Sequence, residues 1–138
     1  RPIRRMPESV RGLHPETPRR ALDDAFRRLP LVDEDSEPST ASLRVRRSDL
    51  DLTGHLNHVA SIAALLEAVP AEVVKACRLQ SLEVEFKGEG HVGDPLTSIC
   101  DSGYHHSLVR RGDGKEIARG RSRWTRPPTG TAVPPGGR

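Results

Sequence analysis

Aromatic side chains are nearly absent: 138 residues hold one Trp, one Tyr and two Phe. A core must therefore be aliphatic and modest, and base-stacking platforms for single-stranded nucleic acid are lacking. The formal net charge is only +3. A nucleic-acid binder carries a denser basic stripe with interleaved aromatics, so no nucleic-acid partner is expected. Cysteine is scarce too. Cys77 and Cys100 make no disulfide framework and read as reduced, small apolar residues. No apolar run approaches the roughly 20 residues of a membrane helix, so no membrane partner is expected. No secretory leader is visible, and a cytoplasmic location is expected. The first residue is not Met, so the chain reads as a possible fragment.

Proline and glycine are abundant, twelve of each, and they crowd the ends. Pro2, Pro7, Pro15, Pro18, Pro30 and Pro38 break any period before residue 40. Within that stretch, Glu16 to Arg28 could hold a short helix, and the acidic run Asp33 to Thr40 reads as a linker. Residues 127–138, rich in Pro, Gly and Thr, read as a disordered tail.

The middle of the chain is periodic. Leu43-Arg44-Val45-Arg46 alternates apolar and basic, as a half-buried strand does. Asn57 is placed to cap a helix whose apolar stripe runs from Val59 through Ile62, Ala63, Leu65 and Leu66 to about Val69, ahead of Pro70. Ala71 to Ala76 could add a turn. From Leu79 the period becomes two, with Leu82, Val84 and Phe86 alternating with Glu83, Glu85 and Lys87. Further strands are expected at Leu96–Cys100, Tyr104–Arg111 and Glu116–Trp124, the last two joined by a turn at Asp113-Gly114. Strand, helix, then four antiparallel strands is an α+β order in which a sheet wraps one helix. That is the layout of a hot-dog domain, although several α+β folds share it.

Chemistry concentrates between the first strand and the helix. Arg46-Arg47-Ser48-Asp49-Leu50-Asp51-Leu52-Thr53-Gly54-His55-Leu56-Asn57-His58 brings two acids, two histidines and an asparagine to a helix start, where backbone N–H groups are free. Each has a plainer reading: His55 as a loop histidine bonding backbone, Asp51 as a turn or capping residue, Glu89 as one more solvated carboxylate, Asn57 as a cap. A metal is not expected, because His55 and His58 lack a third ligand at suitable spacing. His105 and His106 must point to opposite faces of a strand. The run Arg119, Arg121, Arg123, Arg126 reads as a solvated face that could receive an acidic protein.

The Arg46–His58 segment resembles the active-site segment of the acyl-acyl carrier protein thioesterases, whose pattern is close to RRSDLDxNxHxNN followed by a helix and a Glu-Ser/Ala-x-Pro ending. Glu67-Ala68-Val69-Pro70 fits that ending, and Leu82-Glu83-Val84-Glu85-Phe86-Lys87-Gly88-Glu89-Gly90 is similar to the family's L-E-Y-R-R-E-C strand. Arg4-Arg5-Met6-Pro7-Glu8-Ser9-Val10-Arg11 resembles the segment that leaves the family's first domain. The resemblance covers roughly residues 4–126 and implies the second of two tandem hot-dog domains. Residues 1–40 would then be the end of the first domain and a linker, 41–126 the thioesterase domain and 127–138 the tail.

The resemblance implies a hydrolase of lipid metabolism that frees fatty acids from acyl carrier protein. Asp51, His55 and Glu89 fall on the family's acid, histidine and glutamate. Thr53 stands where the family has Asn, and Gly90 where it has Cys. Without a thiol at 90, the resemblance leaves water attack, with Glu89 as general base, His55 bonding the water or the leaving sulfur and Asp51 orienting both. Asn57 and His58, at the helix start, would polarise the carbonyl and bind substrate. No soluble cofactor is implied, since the phosphopantetheine arm arrives with the acyl chain. A homodimer, or pairing with the missing N-terminal domain, is expected. The alternatives are a degenerate, non-catalytic domain supporting an active partner, and an acyl-coenzyme A thioesterase.

Overall fold

A computed structural model describes residues 28–128. All but the last residue of the helix expected at Glu16–Arg28, the 4–11 segment and the 129–138 part of the tail lie outside the described residues.

Five strands form one antiparallel sheet: β1 (Ser39–Arg44), β2 (Arg78–Phe86), β3 (Pro95–Cys100), β4 (His105–Arg110) and β5 (Lys115–Thr125). Their order across the sheet is β1-β3-β4-β5-β2. Between β1 and β2 the chain makes helix α1 (His58–Leu66) and the short helix α2 (Ala71–Ala76). Helix α1 lies against β3, β4 and β5. This is the expected α+β hot-dog layout, a sheet around one helix.

The apolar stripe of α1 explains its seat. Ser61, Ala64 and Leu65, three and four positions apart, are its buried residues. Leu65 is fully buried among Leu96, Leu108, Ile117 and Ala118 from the sheet and Val45 and Leu56 from the motif region. Helix and sheet approach closely at Gly120, where a Cβ would stand 2.6 Å from Leu65 Cδ2. The buried C-terminal end of α1 exposes carbonyls that need donors. Ser98 Oγ donates to Leu65 O at 2.9 Å, and Ser39 Oγ donates to Ala68 O at 2.6 Å.

Several boundaries differ from the sequence reading. The first strand occupies Ser39–Arg44 rather than Leu43–Arg46. The backbone turns after Val45 because Arg46 N donates to Asp49 Oδ2 at 2.8 Å, opening a 3-10 turn at Arg47–Asp49. Much of the stretch read as linker is thus structured, with a 3-10 turn at Glu34–Ser36 and the start of β1. Asp33 N bonds the buried carboxylate of Asp101 at 3.0 Å, tying that stretch to the β3–β4 turn. Helix α1 ends at Leu66, short of Val69, and Ala68 and Val69 pack as a buried turn ahead of Pro70.

The alternation puts Phe86 on the same face as Leu82 and Val84. It is 41% exposed at the end of edge strand β2. Its ring is covered from one side by His58, stacked at a centroid distance of 3.9 Å. His105 and His106 do face opposite ways: His105 bonds Asp101, while His106 is buried against Ser122.

Candidate active site

The loop after β1 closes on itself. Asp51 N donates to His55 O at 2.8 Å, Gly54 N donates to Asp51 O at 3.1 Å, and Leu50 and Leu56 form an isolated bridge. Gly54, at φ +84°, supplies the left-handed residue this turn needs. The Asp51 carboxylate fills the turn, its Oδ1 accepting from Thr53 N at 2.8 Å, Thr53 Oγ1 at 2.6 Å and His55 N at 3.1 Å. The Thr53 hydroxyl, followed by the His55 backbone bond, holds the Asp51 carboxyl below its ordinary value.

Thr53 Oγ1 also lies 3.2 Å from His55 Nδ1. A hydroxyl has one proton, and the short bond to a carboxylate claims it. Thr53 Oγ1 is then an acceptor towards the ring, which assigns Nδ1–H to neutral His55 and leaves a lone pair on Nε2. Nε2 faces Glu89, 3.5 Å from Oε2. Asp51, Thr53, His55 and Glu89 therefore form one chain of contacts.

The segment carrying Glu89 is fixed against the loop. Leu56 N donates to Gly90 O at 2.8 Å, and Arg110 Nη1 donates to Glu89 O at 2.8 Å. At Gly90 a Cβ would meet Leu56 Cβ at 3.1 Å, so glycine permits this close approach. No thiol replaces the missing one. Cys100 is buried beside Ala68 and Val69, and burial raises its thiol to about 11. Cys77 stands at the end of α2, its N–H bonded to Val73 O.

Asn57 is a structural cap. Its Oδ1 accepts from Ala60 N at 2.7 Å, its Nδ2 donates to Asp49 O at 2.9 Å, and its backbone N donates to the same carbonyl at 2.9 Å. Its N–H is therefore occupied. The first-turn N–H groups of His58 and Val59 have no partner among the described residues. Both residues line a cleft of about 620 Å³, together with Ser48, Asp51, Asn57, Ala60 and Ala63.

Two residues near the site escaped sequence reasoning. Asp49 clamps Arg46 through Nη2 at 3.1 Å, and that guanidinium lowers its carboxyl. His91, in a glycine-broken bend without a period, stands edge-on to His55 with centroids 5.3 Å apart. The spacing of Asp51, Thr53 and His55 marks one turn in sequence. Nothing local announces that residue 91 returns to it.

The basic run on β5 is partly neutralised. Arg119 pairs with Glu116 at 2.6 Å and Arg121 with Glu83 at 2.9 Å. Arg123 and Arg126 are exposed, with no ion pair among the described residues.

Among known families, the acyl-ACP thioesterase C-terminal domain matches residues 32–126. A palmitoyl-acyl carrier protein thioesterase of Cuphea hookeriana is 37% identical over 119 residues, covering 79% of this chain and 28% of the relative. An oleoyl-acyl carrier protein thioesterase of Arabidopsis thaliana is 28% identical over 144 residues, covering 89% of this chain and 39% of the relative. The structure of a 12:0-ACP thioesterase from Umbellularia californica superposes with a TM-score of 0.69 at 23% identity, covering 88% of this chain and 49% of that one. This chain thus spans less than half the length of each of these proteins.

Proposed function

This chain belongs to the acyl-ACP thioesterase C-terminal domain family, and from that premise we propose that it hydrolyses the thioester of fatty acyl-acyl carrier protein by carboxylate-assisted attack of water. The observation that carries this reading is the contact chain Asp51–Thr53–His55–Glu89.

The 3.5 Å gap between His55 Nε2 and Glu89 Oε2 separates two acceptors. One water can donate an O–H to each, which aims its lone pair at a carbonyl. Glu89 takes the proton as the water oxygen bonds to the acyl carbon. His58 N–H and Val59 N–H are suited to hold the resulting oxyanion, helped by the positive end of α1. The C–S bond then breaks, the pantetheine sulfur takes the proton from Glu89, and the products are a fatty acid and a free thiol. Thr53 does the orienting work of an amide over a shorter reach. Gly90 removes a nucleophile that this route does not use.

The acyl carrier is the proposed partner, and the exposed Arg123 and Arg126 are a suitable rim for an acidic protein. A second hot-dog domain, from another copy or from an N-terminal domain, would cover edge strand β2 and exposed Phe86 and Leu79. Residues 41–126 would form the catalytic unit and residues 1–40 the end of such a preceding domain. Free Cys77 and Cys100 agree with a reducing, cytoplasmic setting. Among the described residues, no helix is long and apolar enough to cross a membrane.

Thr53 and Gly90 favour one second reading, a domain that has lost catalysis and only supports a partner. Thiol release from acyl carrier protein and coenzyme A thioesters of matched chain length separates the possibilities. Faster turnover of the carrier substrate supports the proposal. A preference for coenzyme A would move the substrate assignment, and no turnover of either would favour the supporting domain.

A further inference from the structure

Hydrolysis as described makes no use of His91, yet this side chain turns the His55–Glu89 pair into a three-donor cluster. One ligand atom from each of His55, Glu89 and His91 lies within 4.8 Å of the other two. Two imidazoles and one carboxylate are the protein donors of open zinc sites, in which the remaining position is left to water. Ligand atoms about 2.0–2.1 Å from a tetrahedral zinc sit roughly 3.4 Å apart. The His55 Nε2 to Glu89 Oε2 separation is already 3.5 Å. The remaining closure, up to about 1.4 Å, falls on side chains that are 38%, 67% and 54% exposed at His55, Glu89 and His91, which leaves room for small rotations.

The backbone holds the three donors in register. The Leu56–Gly90 bond joins the two loops, and a turn closed by Asp94 N on His91 O at 3.1 Å and Gly93 N on Val45 O at 2.9 Å presents His91. The rings meet at 85°, edge to face rather than stacked. Thr53 Oγ1 on His55 Nδ1 is the kind of outer bond that fixes which nitrogen faces a metal. The third ligand that local spacing could not supply to His55 and His58 thus comes from a separate loop.

We infer that His55, Glu89 and His91 bind a divalent cation of the zinc class. Occupancy competes with hydrolysis, because the cation takes the Nε2 lone pair and the carboxylate that the water needs. The competition rests on the proposed hydrolase; the binding does not.

Cobalt(II) titration of the protein, read by its visible d–d absorption and by displacement with zinc, tests the binding directly. One equivalent should bind, with affinity about tenfold or more weaker in His91→Ala and His91→Gln. Both variants should keep the circular dichroism and Tm of the parent and its metal-free hydrolysis. Zinc should inhibit the parent, reversibly with EDTA, and spare the His91 variants at the same concentration. Absence of a cobalt band at millimolar metal, or equal affinity in both variants, would overturn the site. Zinc-stimulated hydrolysis would overturn the competition. Cobalt binding through His91 in a protein without turnover would sustain the site and count against the hydrolase alone.

Discussion

The backbone N–H of Leu56 donates to the carbonyl of Gly90 at 2.8 Å, and this bond sets His55 opposite Glu89. The two partners come from the loop before α1 and the bend after β2, 34 residues apart in sequence. Each brings its neighbour with it: His55 precedes Leu56, and Glu89 precedes Gly90. The missing Gly90 side chain matters for the same reason, since a Cβ there would stand 3.1 Å from Leu56 Cβ. Glycine at this position therefore permits the close contact between the two loops.

Thr53 is expected to act through His55. Thr53→Val keeps the shape and removes the hydroxyl that accepts from Nδ1 and donates to Asp51. The imidazole then loses its orienting partner, and kcat should fall by about tenfold to a hundredfold with KM nearly unchanged. Thr53→Ser should restore most of the loss. Steady-state kinetics on the three proteins checks this; equal kcat in all three would remove Thr53 from the mechanism.

His106 should make stability depend on pH. Burial, opposed by the nearby charge of Asp101, lowers its ring from 6.5 to about 4 in the folded chain. The unfolded chain takes up the proton near pH 6.5, whereas the folded chain resists until about pH 4. Stability is therefore full above pH 6.5 and falls as pH drops towards 4, by on the order of 3 kcal/mol at most. Urea midpoints across that window should fall for the parent and vary less in His106→Gln. A flat profile in the parent contradicts the assignment.

Gly120 marks the closest approach of helix and sheet. An added methyl group meets Leu65 Cδ2 at 2.6 Å and Glu83 O at 3.3 Å, and Leu65 is wholly enclosed. Gly120→Ala should cost about 1–3 kcal/mol by overpacking, visible as a Tm several degrees lower. An unchanged Tm would mean that α1 sits farther from β5.

Arg123 and Arg126 should matter only for a protein substrate. Reversing both to Glu is expected to raise KM for acyl carrier protein about tenfold at low salt, with kcat kept. A short pantetheine thioester should be hydrolysed as before. Loss of rate on both substrates would place these residues in some other role.

Much of this was legible because local patterns carry it. The Asn57 cap, the α1 stripe and the succession of strands after it are local signals, and the hot-dog layout follows from their order. Asp51, Thr53 and His55 share one short turn, so their spacing alone brings them together. What stayed hidden depends on contacts between distant residues. The early start of β1 at Ser39 comes from pairing with Cys100 and from the Ser39 bond to Ala68 O, neither visible as a pattern. His91 meets His55 only because Leu56 and Gly90 join two loops. Phe86 follows the alternation but lies at the end of an edge strand, beside His58 instead of the core.

The most direct measurement of the central claim is the rate of thiol release from a long-chain acyl-acyl carrier protein by the parent, Glu89→Gln and His55→Gln. Both substitutions preserve size and remove the basic atom that faces the water. The parent should hydrolyse the substrate measurably and each variant should lose about a hundredfold or more, with folding intact. Hydrolysis unchanged in Glu89→Gln would contradict it, because no carboxylate would then be taking the proton of the attacking water.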